Sequence, residues 1–197
     1  MGQCDGLGNQ QERRTADLQW FGGVFDGEGC ISIVRATRAG YGGRSTLGTQ
    51  IRFTNSSEVV IAEVRRILSD HQIPHHVGLR PATKGRRAVW HISINGMKRC
   101  ARFLPIFTPF LRGKRWVAET TAAFIGSRLS KAPGAPYSDQ EIDWFGAMRD
   151  HHGYLLAESS EAICRALRQE QRYGPTSARK AESAAELETT APLVRVA

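Results

Sequence analysis

An α+β fold is what this 197-residue chain predicts, with helix, hairpin, helix, hairpin and helix in order (αββαββα) and extra helices at the C-terminal end. Three observations carry that expectation. An apolar run at residues 20–29 ends in glycines and acids, as a helix terminus does. Two later stretches alternate apolar and polar residues with the two-residue period of antiparallel strands. Between them lies a run whose apolar residues recur at helical spacing. The length suits one domain with tails and suffices to bury a core.

Residues 1–16 are polar and glycine-containing and read as a flexible leader, with Asp17 as the cap of a helix on which Leu18, Phe21 and Phe25 share a face. Cys30–Arg35 reads as a strand, Gly40–Gly43 as a turn, and Leu47–Thr54 as a strand with Leu47, Thr49, Ile51 and Phe53 inward. Ser56 or Ser57 caps a helix with Val59, Val60, Ile61, Val64, Ile67 and Leu68 on its apolar face. The second hairpin places Val77 and Leu79 inward with Trp90, Ile92 and Ile94, leaving His76, Arg80, Arg87, His91 and Ser93 outside. Residues 95–130 read as two helices broken near Pro105 and Pro109. The core is thus expected over 17–130, a linker over 131–137, and a helical extension over 138–173 that opens on the capping-box spacing of Ser138 and Glu141. The Ala/Glu/Ser/Thr-rich stretch 174–197 reads as a disordered tail.

Charge is distributed unevenly. Residues 31–115 hold 16 Lys+Arg against 3 Asp+Glu, while the rest of the chain holds 11 against 16. So basic a core with an acidic remainder is the footprint of a polyanion binder. A twisted antiparallel ribbon fits the DNA major groove, where Arg reads guanine and Gln reads adenine. Gln50, Arg52, Arg80, Arg87 and His91 on the exposed sheet face are the candidate readers. Arg35, Arg38, Arg44, Lys84 and Arg86, near loops and strand ends, are candidate phosphate contacts. Four scattered cysteines argue against a zinc module or disulfide framework and for a reducing compartment. No apolar run approaches a membrane span, no signal-peptide pattern opens the chain, and the expected location is the cytoplasm. The adjacent pairs His75–His76 and His151–His152 make poor joint ligands and receive no catalytic role.

The most informative residues are Asp26 and Glu28. A helix C-terminus carries unsatisfied carbonyls and partial negative charge, so two acids there conflict with the helix dipole. A divalent cation removes the conflict, because hard cations take carboxylate and carbonyl oxygens. The helix tip is therefore a candidate metal site, closed by Gly29.

The segment Phe21-Gly22-Gly23-Val24-Phe25-Asp26-Gly27-Glu28-Gly29 resembles the signature of the LAGLIDADG homing endonucleases. Gly23, Asp26 and Gly29 are identical, and Glu28 replaces the second aspartate. One copy of the motif with the αββαββα order is similar to the single-motif, homodimeric members, over about residues 17–130. The resemblance implies a LAGLIDADG-like fold with a DNA-binding antiparallel sheet and a dimer interface formed by Phe21, Gly22, Gly23 and Phe25. It also implies Mg²⁺ (or Mn²⁺) held by Glu28 and the carbonyl of Gly27, with Asp26 as supporting ligand or helix-end brace. The segment Pro109-Phe110-Leu111-Arg112-Gly113-Lys114 resembles the family's Pro-Phe-Leu-x-x-Lys and implies a catalytic Lys114. Asn55 stands where relatives carry a polar residue that organises active-site water. Val59 departs from the arginine sometimes found at its position.

The function implied is site-specific, metal-dependent hydrolysis of double-stranded DNA by a homodimer on a long pseudo-palindromic target. Two alternatives share the fold: a maturase that binds its own intron RNA, and a DNA-binding regulator that does not cut.

Overall fold

The computed structural model describes residues 5–37, 45–152 and 159–173. The elements are α1 (Asp5–Glu28), β1 (Gly29–Thr37), β2 (Ser45–Asn55), α2 (Glu58–Asp70), β3 (His76–Arg80), β4 (Val89–Asn95), α3 (Met97–Phe107), a 3₁₀ turn (Thr108–Phe110), α4 (Arg115–Leu129), α5 (Asp139–His151) and α6 (Ser160–Tyr173). The predicted α+β class and αββαββα order are present, and α5 and α6 are the extra C-terminal helices. The four strands form one sheet in the order β1-β2-β4-β3. The chain divides into two compact units, Met1–Ile33 with Gly48–Ser130, and Val34–Leu47 with Lys131–Ala197. The end of the first hairpin thus belongs with the C-terminal helices, a grouping that the expected boundary at residue 131 did not anticipate.

In the first unit, Phe21 and Phe25 lie one turn apart on α1 and meet Phe103 and Phe107, one turn apart on α3. The ring centroids are 4.4 Å apart for Phe21–Phe107 and for Phe103–Phe107, and 5.6 Å apart for Phe25–Phe103. All four rings are almost wholly buried, as are Phe53, Ile51, Ile92 and Ile94 from the sheet above them. Each such side chain contributes about 1.5–3 kcal/mol by leaving water. Helix α2 covers the same core with Ile61, Val64, Ile67 and Leu68, while Val59 at its start is 79% exposed, outside the apolar face assigned to it. The Ser57 hydroxyl caps α2. Its far end closes with Gln72 at a φ of 54°, where the amides of Gln72 and Ile73 donate to the carbonyls of Ser69 and Leu68.

Several expectations need correction. Helix α1 starts at Asp5, so the region read as a flexible leader is helical from there on; residues 5–16 lack an apolar stripe, and periodicity offered no signal. Asp17 lies inside α1, where its carboxylate pairs with Arg66 of α2 at 2.8 Å. Pro105 does not break α3, which runs through it to Phe107; the interruption falls at Pro109 in the 3₁₀ turn. Leu79 is 47% exposed because β3 is a short edge strand. Ser93 is buried because its central strand sets it between Arg52 of β2 and His76 of β3.

The second unit is built on the packed pair α5 and α6. Ser138 and Glu141 form the predicted capping box, and Glu141, fully buried, also pairs with Lys131 at 2.9 Å. Ile142, Phe145 and Met148 of α5, with Ile163, Cys164 and Leu167 of α6, are buried. Gly146 leaves room for the Cys164 sulfur, which a Cβ would meet at 2.9 Å. Arg168 of α6 joins Asp139 and Asp143 of α5. Among the described residues no helix is long and apolar enough to cross a membrane. Residues 174–197, read as a tail, lie outside the described residues.

Candidate active site and nucleic-acid face

The tip of α1 is locked to the segment that leads into α4. The carboxylate of Asp26 accepts hydrogen bonds from the backbone N–H groups of Arg112 (2.7 Å), Gly113 (2.9 Å) and Lys114 (3.0 Å). Lys114 caps the start of α4 and Arg112 and Gly113 lead into it, so the three amides converge on the positive end of that helix and favour an anion. In return the Lys114 ammonium donates to the backbone carbonyl of Asp26, one of the orphan acceptors at the end of α1. Burial pushes the Asp26 carboxyl upward, but the three amide donors and the Lys114 charge outweigh it and hold the group below its ordinary value. Two helix ends of opposite polarity thus neutralise each other through one aspartate and one lysine.

Asp26 therefore has the arrangement of a brace. Glu28, two residues on, is exposed at the end of the helix. Gly27 is exposed too, with nothing within 4 Å of where a Cβ would stand. Asn55 ends β2, and its side-chain oxygen accepts from the Ser57 amide at 2.7 Å, turning the chain into α2. The hydrogen bonds from Ser32 to the Gln50 carbonyl and from Thr46 to the Ala36 carbonyl show β1 and β2 running antiparallel. The end of β2 with Asn55 therefore lies toward the start of β1, the strand that follows Glu28.

Among the described residues no three His, Cys, Asp or Glu side chains are grouped to hold a metal ion. With Asp26 committed, one chain presents a single carboxylate, Glu28, and helix-end carbonyls such as that of Gly27. Hard divalent cations take six or more oxygens. This donor set fits such a cation when a second copy and phosphate oxygens add to it, and falls short of a closed site in one chain.

The face of α1 that could meet a second copy differs from expectation. Phe21 and Phe25, assigned to a dimer interface, are each 1% exposed within the chain's own core. Gly22 is likewise internal: a Cβ there would meet the Phe110 carbonyl oxygen at 2.3 Å. Only Gly23 of that set is on the outer face, with Trp20 (39% exposed) and Gly27 one turn to either side. Gly23 borders an open cleft with Gln19, Arg112 and Arg115. The helical spacing 20, 23, 27 held the signal for this face, but a motif match does not say which side faces inward.

The polar face of the sheet carries an ordered network. Gln50 donates to Asn95 at 2.7 Å, Arg52 donates to Gln50 at 3.0 Å, and Asn95 donates to Ser93 at 3.4 Å. The pairs Gln50–Asn95 and Arg52–Ser93 are direct cross-strand neighbours of β2 and β4. Asn95, absent from the sequence-derived set, thus links Gln50 of β2 to Ser93 within the network at the end of β4. His91 lies over Gly78, where a Cβ would meet its ring at 2.4 Å, and its centroid is 6.2 Å from that of His76. Arg80, Lys84, Arg86 and Arg87 are exposed on β3 and the β3–β4 turn, which the Thr83–Arg86 bridge and Gly85 (φ 81°) shape. Arg35 is half-buried, and its Nε donates to the Ser45 hydroxyl at 2.9 Å. Arg38 and Arg44 lie outside the described residues.

No family model and no curated protein matches the sequence. Solved structures do. The homing endonuclease I-CvuI, in complex with the I-CreI target in the presence of Mg, superposes with a TM-score of 0.55 at 16% identity, covering 82% of this chain and 98% of that one. The archaeal intron-encoded homing endonuclease I-Vdi141I, complexed with DNA, gives 0.61 at 8% identity, over 79% of this chain and 96% of that one. The LAGLIDADG homing endonuclease I-GzeII, in complex with a DNA target, gives 0.51 at 9% identity, over 78% and 58%. The shared feature is the αββαββα arrangement described above. The chain has the fold of the LAGLIDADG homing endonucleases.

Proposed function

We propose that this chain is a site-specific endonuclease that hydrolyses both strands of duplex DNA as a homodimer, with Mg²⁺ (or Mn²⁺) as cofactor. The observation that carries the reading is the helix tip, where the Lys114 ammonium is anchored on the Asp26 carbonyl, two residues before the exposed Glu28. Like structures were solved as homing endonucleases on DNA, and one in the presence of Mg. The exposed face of α1 at Trp20, Gly23 and Gly27 is the surface through which a second copy would bring its own Glu28.

In this reading Glu28 and the Gly27 carbonyl hold the cation. When bound, the cation would neutralise charge at phosphorus and lower the pKa of a water. Lys114 supplies a fixed positive charge for the developing phosphorane oxygens, and Asp26 keeps that charge in place without itself touching the substrate. Gln50, Arg52, Asn95 and His91 read base edges, while Lys84, Arg86 and Arg87 neutralise phosphates. Two-fold symmetry of the protein requires a pseudo-palindromic site.

The test separates binding from chemistry on a selected target. Glu28→Gln should abolish cleavage while binding stays within a few-fold of wild type. Lys114→Ala should slow cleavage by about 10²–10³-fold, the range for one preorganised charge donor, with little loss of affinity. Equal loss of both would make Lys114 an ordinary phosphate contact, and full activity of Glu28→Gln would overturn the metal assignment.

A further inference from the structure

The start of β2 carries a feature that the site does not use. The paired register of β2 with β4 begins at Gln50 and Asn95, and the Gly96 amide still donates to the Thr49 carbonyl at 2.9 Å, so residues 45–48 run past the last of these bonds and leave one edge of β2 open. Open strand edges present unpaired amides and carbonyls, and buried ones must find other partners. Here the partners are side chains of the second unit. The Ser45 amide donates to the Glu170 carboxylate, which is only 6% exposed. The Leu47 amide donates to the Tyr137 hydroxyl oxygen at 2.7 Å, and that hydroxyl donates back to the Leu47 carbonyl at 3.3 Å. The Gln171 side-chain oxygen accepts from the Tyr137 amide at 3.1 Å, tying the tyrosine to α6. The Arg35 guanidinium completes the set on the Ser45 hydroxyl. Tyr137 and Glu170 stand where a further strand residue would stand, alternating along β2 as ladder partners do.

Such an arrangement is more than packing. A buried carboxylate on a backbone amide is an exacting device, because burying charge costs free energy unless it is paired or hydrogen-bonded. It holds the strand segments 34–36 and 45–47, whose outer side chains Val34, at 37% exposure, and Ala36 face solvent. We propose that Tyr137 and Glu170 are positioning residues for sequence discrimination: they hold segment 45–47 of β2, and with it segment 34–36 of β1, in place, so that these residues read base pairs additional to those read by Gln50 and Arg52. This rests on the DNA reading above and gives the α5–α6 unit its part in it. An apolar, small-residue face of this kind suits contact with base-pair edges and thymine methyl groups.

The experiment uses the full-length chain and a duplex library randomised at every target position. Tyr137→Phe removes only the hydroxyl, Glu170→Ala removes the acceptor, and Glu170→Gln keeps an acceptor. Hydrogen exchange at the Ser45 and Leu47 amides is measured on the same proteins. The expected result is faster exchange at Leu47 in Tyr137→Phe and at Ser45 in Glu170→Ala, with near-wild-type exchange in Glu170→Gln. Discrimination should fall by about tenfold at a few positions distinct from those relaxed by Gln50→Ala and Arg52→Ala, with cleavage of the preferred target within threefold. A base-preference profile that is unchanged, or weakened evenly at all positions, would overturn the proposal. A wild-type protein that enriches no duplex would instead overturn the DNA reading, and this proposal with it.

Discussion

Asp26 shows how geometry chooses between two roles that residue type leaves open, supporting ligand and helix-end brace. As an acid at a helix tip it invites a metal, yet its oxygens are satisfied by three amides of the chain that leads into α4. Loss of such a cap costs about 0.5–2 kcal/mol, and Asp26→Asn should therefore lower stability in urea by about that amount. Because the folded-state pKa of Asp26 lies below its unfolded value, its contribution is present above the unfolded value and fades as pH falls through the folded one. The wild-type and Asp26→Asn unfolding curves should converge in strong acid; a difference that persists there would separate the effect from ionisation. Gln72 offers the opposite sign. It occupies a left-handed position that glycine fills without steric cost, so Gln72→Gly should raise stability by about 0.5–1 kcal/mol in the same assay.

At the level of elements, α1 has two faces that adjacent glycines separate. Gly22 admits the Phe110 carbonyl and Gly23 faces open space. Gly22→Ala should destabilise the monomer by about 1–3 kcal/mol through overpacking. Gly23→Ala should stabilise it by up to about 1 kcal/mol through helix propensity. Gly23→Leu should leave thermal stability nearly unchanged but shift sedimentation toward monomer; a stable dimer in that variant would place the interface elsewhere. Much of this level was legible in the sequence. The alternation of Leu47 to Phe53, the apolar face of α2 and the capping box of α5 each follow from local pattern. What was not legible depended on distant partners. Phe21 and Phe25 look like interface residues until Phe103 and Phe107 arrive from α3, and period two cannot say that β3 is an edge strand and β4 a central one.

For the whole molecule, the helix tip runs directly into the first strand of the sheet, and the candidate site stood out in the sequence because both parts carry unusual residue types. The acids at 26 and 28, and the basic stretch over 31–115, stand out against composition. Their division of labour was legible only in part: the sequence left Asp26 as ligand or brace, geometry brings its three amide donors, and geometry alone brings Asn95 into the Gln50–Arg52 network. Exposed cations on the β3–β4 turn should act through phosphate. Lys84→Ala should weaken binding to all duplexes evenly and reduce the slope of log K against log salt by about 1. Loss confined to particular sequences would instead make Lys84 a base reader. The central claim is that Glu28 at the α1 tip drives metal-dependent cutting of a specific duplex. The most direct measurement is cleavage of a randomised duplex library in Mg²⁺ by wild type and by Glu28→Gln. Wild type should make discrete cuts at one enriched, pseudo-palindromic sequence, and Glu28→Gln should lose the cuts while still binding that sequence. Equal enrichment by both proteins without cuts, or cuts that survive the substitution, would contradict the claim.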